Sequence, residues 1–170
     1  MNTGATSHHV LEITVISGED LFVSRRRVKR NAFVVLRTDR NSSSQRTKID
    51  KDGGSYPLWN DKFNMNFPMH ARHINIEVQC KTASGNSFIG SVNIPKTDFL
   101  GGYVPHGYLH FLSYRLRDRR GKRNGIINIS VRVKRDEKVG LDYGFSNPCS
   151  SVMPVDYKVS TSIVMGVPIN

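Results

Sequence analysis

The sequence predicts an all-β fold, an antiparallel β-sandwich of about eight strands. Apolar and polar residues alternate with a period of two along most of the chain, the pattern of strands with one face in a core and one in water. A helical period is almost nowhere to be found. Clusters of Gly, Pro, Asn, Asp and Ser separate the alternating runs at short intervals, whereas a parallel sheet would need helical crossovers.

Taken in order, Leu11, Ile13 and Val15 alternate with Glu12 and Thr14 in a first strand. Ala32 to Thr38 and Gln45 to Ile49 supply two more. Phe63, Met65 and Phe67 then alternate with Lys62, Asn64 and Asn66, and Ile74, Ile76 and Val78 with Asn75 and Glu77. Phe88 to Ile94 and Tyr108 to Arg115 follow. In the last strand Ile127, Ile129, Val131 and Val133 alternate with Asn128, Ser130, Arg132 and Lys134, giving it a basic solvent face. A helix fits only at Thr97 to Leu100, as hardly more than a turn. Trp59, Phe63, Phe67 and Phe88 are assigned to the core.

At 170 residues and 38% hydrophobic, the chain is long enough for one domain with a real core plus a tail. The domain is expected over residues 10–134, after a flexible N-terminus at 1–9. Beyond Lys134 the alternation ends, and 135–170 is expected to be a low-complexity tail, mostly disordered or loosely packed. Within it Ser162 to Ile169 is apolar but far short of the roughly 18 residues that span a bilayer. The start has neither a basic n-region nor an apolar signal core, so a cytosolic protein is expected. Cys80 and Cys149 offer no disulfide framework and no zinc spacing. Apart from His70 and His73 near a turn, the six histidines show no metal-site spacing on a common element, and no Gly-x-Ser-x-Gly, P-loop or paired carboxylates suggest an enzyme.

A net charge of +11 points to an anionic partner: nucleic acid, an acidic protein surface or the inner leaflet of a membrane. Of the 25 Lys and Arg, 10 lie between residues 25 and 51 and six between 115 and 123, so two short segments hold most of the positive charge.

The run Gly85-Asn86-Ser87-Phe88-Ile89-Gly90-Ser91-Val92-Asn93-Ile94-Pro95, preceded in order by Leu11 to Leu21, Ala32 to Val35, Thr47 to Gly54 and Pro57 to Phe63, resembles the C2 domain over roughly residues 10 to 134. Asp98 to Gly102, Leu109 to Asp118 and Gly125 to Val131 narrow the resemblance to the small plant C2 proteins known as bonzai-associated proteins. That resemblance implies binding to anionic phospholipids and to a copine-like partner. It also implies restraint of plant defence responses and programmed cell death, from the inner face of the plasma membrane.

Calcium-dependent C2 domains hold their ions with loop aspartates, because calcium takes about six to eight oxygen ligands. Here the corresponding positions are Asn31, Cys80, Thr82, Asn86 and Ser87, with Lys81 and the Arg25 to Arg30 cluster adding positive charge. Asp20, Asp39, Asp50 and Asp61 do not match ligand positions and are read as turn or surface residues. No metal or cofactor is expected, and calcium not at the usual loop site. Basic side chains would then bridge directly to acidic headgroups. Arg25, Arg26, Arg27, Lys29 and Arg30 are the candidate phospholipid contacts, with Phe22 and Val23 as candidates for membrane insertion and Phe22, which follows Leu21, equally a candidate to cap the core. Lys48 and Lys51 join them, since they flank the strand whose concave face holds inositol-lipid headgroups in C2 relatives. Arg115 to Arg123 is a second contact or a partner surface. Two other readings stand beside this one: a scaffold meeting an acidic protein without lipid, and a nucleic-acid-binding β-domain. The latter is disfavoured because the aromatics fall mostly on the inferred core faces, leaving no stacking platform.

Overall fold

The computed structural model describes residues 8–38, 44–102, 105 and 107–134. Ten strands run β1 (His8–Glu19), β2 (Phe22–Val23), β3 (Arg26–Arg27), β4 (Ala32–Arg37), β5 (Gln45–Arg46), β6 (Leu58–Pro68), β7 (His73–Thr82), β8 (Gly85–Pro95), β9 (Leu109–Arg117) and β10 (Arg123–Lys134). Eight form one antiparallel sheet in the order β5-β4-β7-β8-β9-β10-β1-β6, and β2 and β3 form a separate hairpin. The sheet is two four-stranded halves joined by a single pairing, Ser91 with Arg117. Folded over, the halves share one core: Leu11, Ile13, Val15, Ile127, Ile129 and Val131 from one, Val34, Leu36, Ile74, Ile76 and Val78 from the other, all 1% exposed or less. Each such side chain contributes about 1.5–3 kcal/mol by leaving water. At the seam Gly90 has no room for a side chain, since a Cβ there would lie 3.0 Å from the Leu116 Cβ and 3.1 Å from the Arg117 carbonyl oxygen.

The alternation read from β1, β7 and β10 sets which faces are buried. Among the described residues three register shifts interrupt the ladders, one in β10 between Arg123 and Ile126 and the others in β1 and β8. In β1, Val15 pairs with Ile129 and Ser17 with Asn128, leaving Ile16 as the extra residue. In β8, Val78 pairs with Gly90 but Gln79 with Phe88, so Ile89 is extra and takes the inward position at 1% exposed. Phe88 is therefore half-buried and outside the core, against the sequence expectation. Phe63 is also half-buried, packed against the core, while Trp59 and Phe67 lie in it.

Other boundaries move for identifiable reasons. His8 and His9, expected in the flexible N-terminus, pair with Pro68 and Phe67 as the start of β1. The strand expected at Gln45 to Ile49 shrinks to Gln45–Arg46 because the Thr47 hydroxyl takes the Val34 N–H, at 2.9 Å. The chain rejoins β4 at a lone bridge between Asp50 and Ala32. The helical turn is a 3-10 turn at Lys96–Asp98. The tail at 135–170, Asp39, His106 and Cys149 lie outside the described residues.

Four connections gather at one end of the sandwich: residues 20–31, 50–57, 83–84 and 118–122. Backbone bonds tie them: Gly18 N–H to the Pro57 carbonyl (2.9 Å), Leu21 N–H to that of Ser55 (3.1 Å) and Lys81 N–H to that of Asn31 (3.0 Å). The Asp50 carboxylate shapes the second connection by accepting the N–H groups of Asp52, Gly53 and Leu58 at 3.0, 2.6 and 3.0 Å. Gly125 sits at φ +67, where a Cβ would approach the Glu19 carbonyl oxygen to 2.6 Å and Leu21 Cδ2 to 2.7 Å. Gly121 at φ +74 has nothing within 4 Å of the same position. Gly125→Ala should therefore lower unfolding free energy by about 3 kcal/mol or more, through strain and clash together. Gly121→Ala should cost about 1–2 kcal/mol from the backbone alone. Urea midpoints of the two variants check the difference.

Candidate functional site

The first connection is the β2–β3 hairpin, in which Phe22 pairs with Arg27 and Val23 with Arg26. Ser24 and Arg25 form its two-residue tip at φ +50 and +64, the backbone of a type I′ turn. The Val28 N–H closes the hairpin on the Leu21 carbonyl at 3.0 Å, and the Val28 side chain is buried. Arg25, Arg26, Lys29 and Arg30 are exposed and make no ion pair with a described residue. Arg27 is engaged. Its guanidinium lies 3.2 Å from Asp20 Oδ1, donates to the Tyr56 hydroxyl at 3.4 Å, and stacks 5.3 Å from the Phe22 ring centroid. Phe22 and Val23, assigned to membrane insertion, are half-buried; Phe22 lies under Arg27 and Val23 packs against the core.

The turn between β9 and β10 faces this hairpin. Asp118 shapes it, its N–H and carbonyl bonding Lys122 and Gly121, and its Oδ1 accepting the N–H groups of Arg120 and Lys122 at 2.8 Å each. Asn124 then binds the two regions together. Its side-chain NH2 donates to the carbonyls of Phe22 and Ile89, both at 2.7 Å, and its Oδ1 accepts the Phe22 N–H at 3.0 Å. Between hairpin and turn lies a cleft of about 560 Å³, walled by Phe22, Arg25, Phe88, Arg119, Lys122 and Arg123. The sequence shows both basic segments and a turn signal at Asn124-Gly125. It does not show that residues about a hundred positions apart share a wall.

The positions read from the sequence as counterparts of calcium ligands also lie at this end, where β4 and β8 flank β7. Cys80 pairs with Ser87, Lys81 with Asn86 and Thr82 with Gly85, and the Asn31 side chain donates to the Lys81 carbonyl at 3.5 Å. Gly85, Asn86 and Ser87, read as part of a loop, belong to β8, and the connection contracts to Ala83-Ser84. The Thr82 hydroxyl donates to the Gly85 carbonyl at 2.8 Å. Cys80 is 4% exposed, and burial raises its thiol pKa. Among the described residues, no three His, Cys, Asp or Glu side chains are grouped as a metal site.

Lys48 and Lys51 are exposed beyond β5, with Lys48 Nζ 3.9 Å from Asp61 and its N–H bonded to Asp61 Oδ2 at 2.7 Å. Asp50 thus serves a turn, as expected, whereas Asp61 lies in β6 and holds the Lys48 backbone against it. On the outer face of β6, β1 and β10, Glu12 stands among Lys62, Arg132 and Lys134 at 3.5, 3.8 and 3.4 Å. Burial raises its pKa, but these three cations outweigh that and hold it below the usual value, so the basic face of β10 is partly compensated. The exposed aromatics also depart from expectation: Tyr56, Tyr108 and Phe111 are 57, 56 and 72% exposed.

The C2 domain profile matches residues 9–111. BON1-associated protein 2 of Arabidopsis thaliana is 46% identical over 159 residues, covering 90% of this chain and 74% of that protein. A C2 domain of plant extended synaptotagmin 1 superposes with a TM-score of 0.61 at 15% identity, over 74% of this chain and 94% of that one. A second C2 domain-containing protein gives 0.62 at 16%, over 82% and 99%. At these identities the structural likeness is one of fold. Among the described residues no helix is long and apolar enough to cross a membrane.

Asn124→Ala should lower stability by about 2–4 kcal/mol, because it strips three partly buried backbone groups of their partner. Denaturant titration measures the loss. In a Cys149→Ser background, Cys80 should react with a thiol reagent at least about tenfold more slowly than free cysteine near neutral pH, since burial keeps it protonated. Labelling kinetics with and without urea check this, the rate recovering on unfolding.

Proposed function

The chain belongs to the C2-domain family, and from that premise we propose that it is a non-catalytic adaptor that attaches reversibly to anionic phospholipid membranes. Attachment runs through the basic connections at one end of the sandwich and needs no calcium at the usual loop site. The observation that carries this reading is the pairing of two features at that end. Arg25, Arg26, Lys29 and Arg30 stand exposed without ion pairs to described residues, while Asn31, Cys80, Thr82, Asn86 and Ser87 offer amide, thiol and hydroxyl groups where carboxylates would hold an ion. A lysine or arginine near an anionic leaflet contributes on the order of 1 kcal/mol, so a few together support reversible attachment that weakens with salt. Lys48 and Lys51 extend the basic surface, and Arg27 has a more structural role than its neighbours.

The partner we propose follows from the Arabidopsis relative, whose name records association with BON1. The corresponding partner is a copine-like protein, held with this adaptor at the inner face of the plasma membrane, where the pair restrains defence responses and programmed cell death. No enzymatic step belongs to this role.

Vesicle sedimentation tests the proposal. The full chain should bind phosphatidylcholine vesicles containing phosphatidylserine equally with calcium or with chelator, and should release as salt rises. The double variant Arg25→Glu, Arg26→Glu should bind about tenfold or more weakly. Binding that vanishes with chelator would overturn the calcium-independent part. Unchanged vesicle binding by the double variant, with loss of copine binding, would favour a protein scaffold instead.

A further inference from the structure

The cleft between the Ser24-Arg25 tip and the 118–124 turn differs from a charged loop face. Its cations come from two distant segments and converge on one cavity. Its geometry leads us to infer a stereospecific site for a compact polyphosphate, a small rigid ring carrying two or more phosphate groups, free in solution or as a lipid headgroup. The lipid form rests on the membrane reading above; the site itself does not.

The volume of about 560 Å³ is that of a small-molecule pocket. Five cations line it: Arg25, Arg119, Arg120, Lys122 and Arg123, none with an ion pair to a described residue. The one acid in the wall, Asp118, has an oxygen already occupied by the Arg120 and Lys122 N–H groups. The Arg119 guanidinium lies 5.4 Å from the Phe88 ring centroid, which holds its planar donor fork at the wall. Arg123 pairs in the ladder with Arg117, a juxtaposition of like charges that is destabilising unless something offsets it. Arg117 turns to the Gly121 carbonyl, at 2.9 Å, leaving Arg123 to the cleft. Asn124 fixes hairpin to turn, so the two backbone segments that carry the cations are joined before any ligand arrives. A single phosphate engages only one or two such forks; five cations around one cavity match several phosphates on one frame. A nucleic-acid strand is a poorer fit, because the two rings beside the cleft, Phe22 and Phe88, each carry an arginine over a face where a base would stack.

Calorimetry of the full chain with soluble inositol 1,4,5-trisphosphate tests the site. Binding is expected, with a raised melting temperature. The variant Arg119→Ala, Arg123→Ala should weaken it at least tenfold. Lys122→Met, which keeps length and removes charge, should weaken it several-fold. The triple variant Arg26→Ala, Lys29→Ala, Arg30→Ala, outside the cleft, should stay within about twofold on the soluble ligand while weakening attachment to phosphatidylserine vesicles. Vesicles carrying phosphatidylinositol 4,5-bisphosphate should bind more tightly than phosphatidylserine vesicles of equal total charge, and the cleft variant should abolish that preference. Failure to bind the trisphosphate, or equal losses in cleft and triple variants, would overturn the site while leaving the membrane reading intact. Trisphosphate binding without attachment to any vesicle would retain the site for a free polyphosphate and overturn the membrane reading. Displacement of the trisphosphate by a single-stranded oligonucleotide at equal or lower phosphate concentration would overturn the site in favour of nucleic acid.

Discussion

One side-chain amide sets the geometry at the basic end of this molecule. Asn124 satisfies the N–H and carbonyl of Phe22 and the carbonyl of Ile89, so a single residue at the start of β10 fixes the β2–β3 hairpin and the bulged part of β8. These backbone groups have no ladder partner where the strands part, and partly buried polar groups need one. A two-stranded hairpin is marginal on its own in water. With Val28 bonded to Leu21 on one side and Asn124 to Phe22 on the other, its position is set by the sandwich rather than by its own two pairs.

The distribution of acids explains why several arginines make no ion pair with a described residue. Asp50 and Asp118 are consumed by backbone N–H groups in turns, Asp61 by the N–H of Lys48, and Asp98 by the Tyr114 hydroxyl. Glu12 sits among three cations on the far side of β1 and Asp20 holds Arg27. These six carboxylates therefore serve the scaffold, and among the described residues positive charge is left exposed on the connections. Net charge alone says nothing of this placement; local hydrogen bonding decides it.

What the sequence makes legible follows the range of the interaction. Alternation at Leu11, Ile13 and Val15, or at Ile127, Ile129 and Val131, is read within a few residues, and those faces are buried in the folded chain. Alternation misplaces Phe88 because a bulge at Ile89 reverses the phase, and whether a strand bulges depends on the strand beside it. It overextends the Gln45 to Ile49 strand because a hydroxyl can stand in for a backbone acceptor, as Thr47 does for Val34. The third connection reads as long because Gly, Asn and Ser are turn residues, yet the same residues pair as the end of β8 once β7 is alongside. The cleft is least legible of all. Arg25 and Arg123 come together only through the closure of β1 on β10, and no local pattern encodes that.

The tip of the hairpin carries a further consequence. A tight two-residue turn with both backbones in the left-handed region suits Asn-Gly, yet the chain has Ser24-Arg25 at φ +50 and +64. Holding an ordinary residue there costs about 1–2 kcal/mol. The strain at position 25 is thus tied to the very side chain that supplies the charge. Glycine would relax the backbone and remove the cation in one step, so hairpin stability and anion affinity cannot be raised independently at this position.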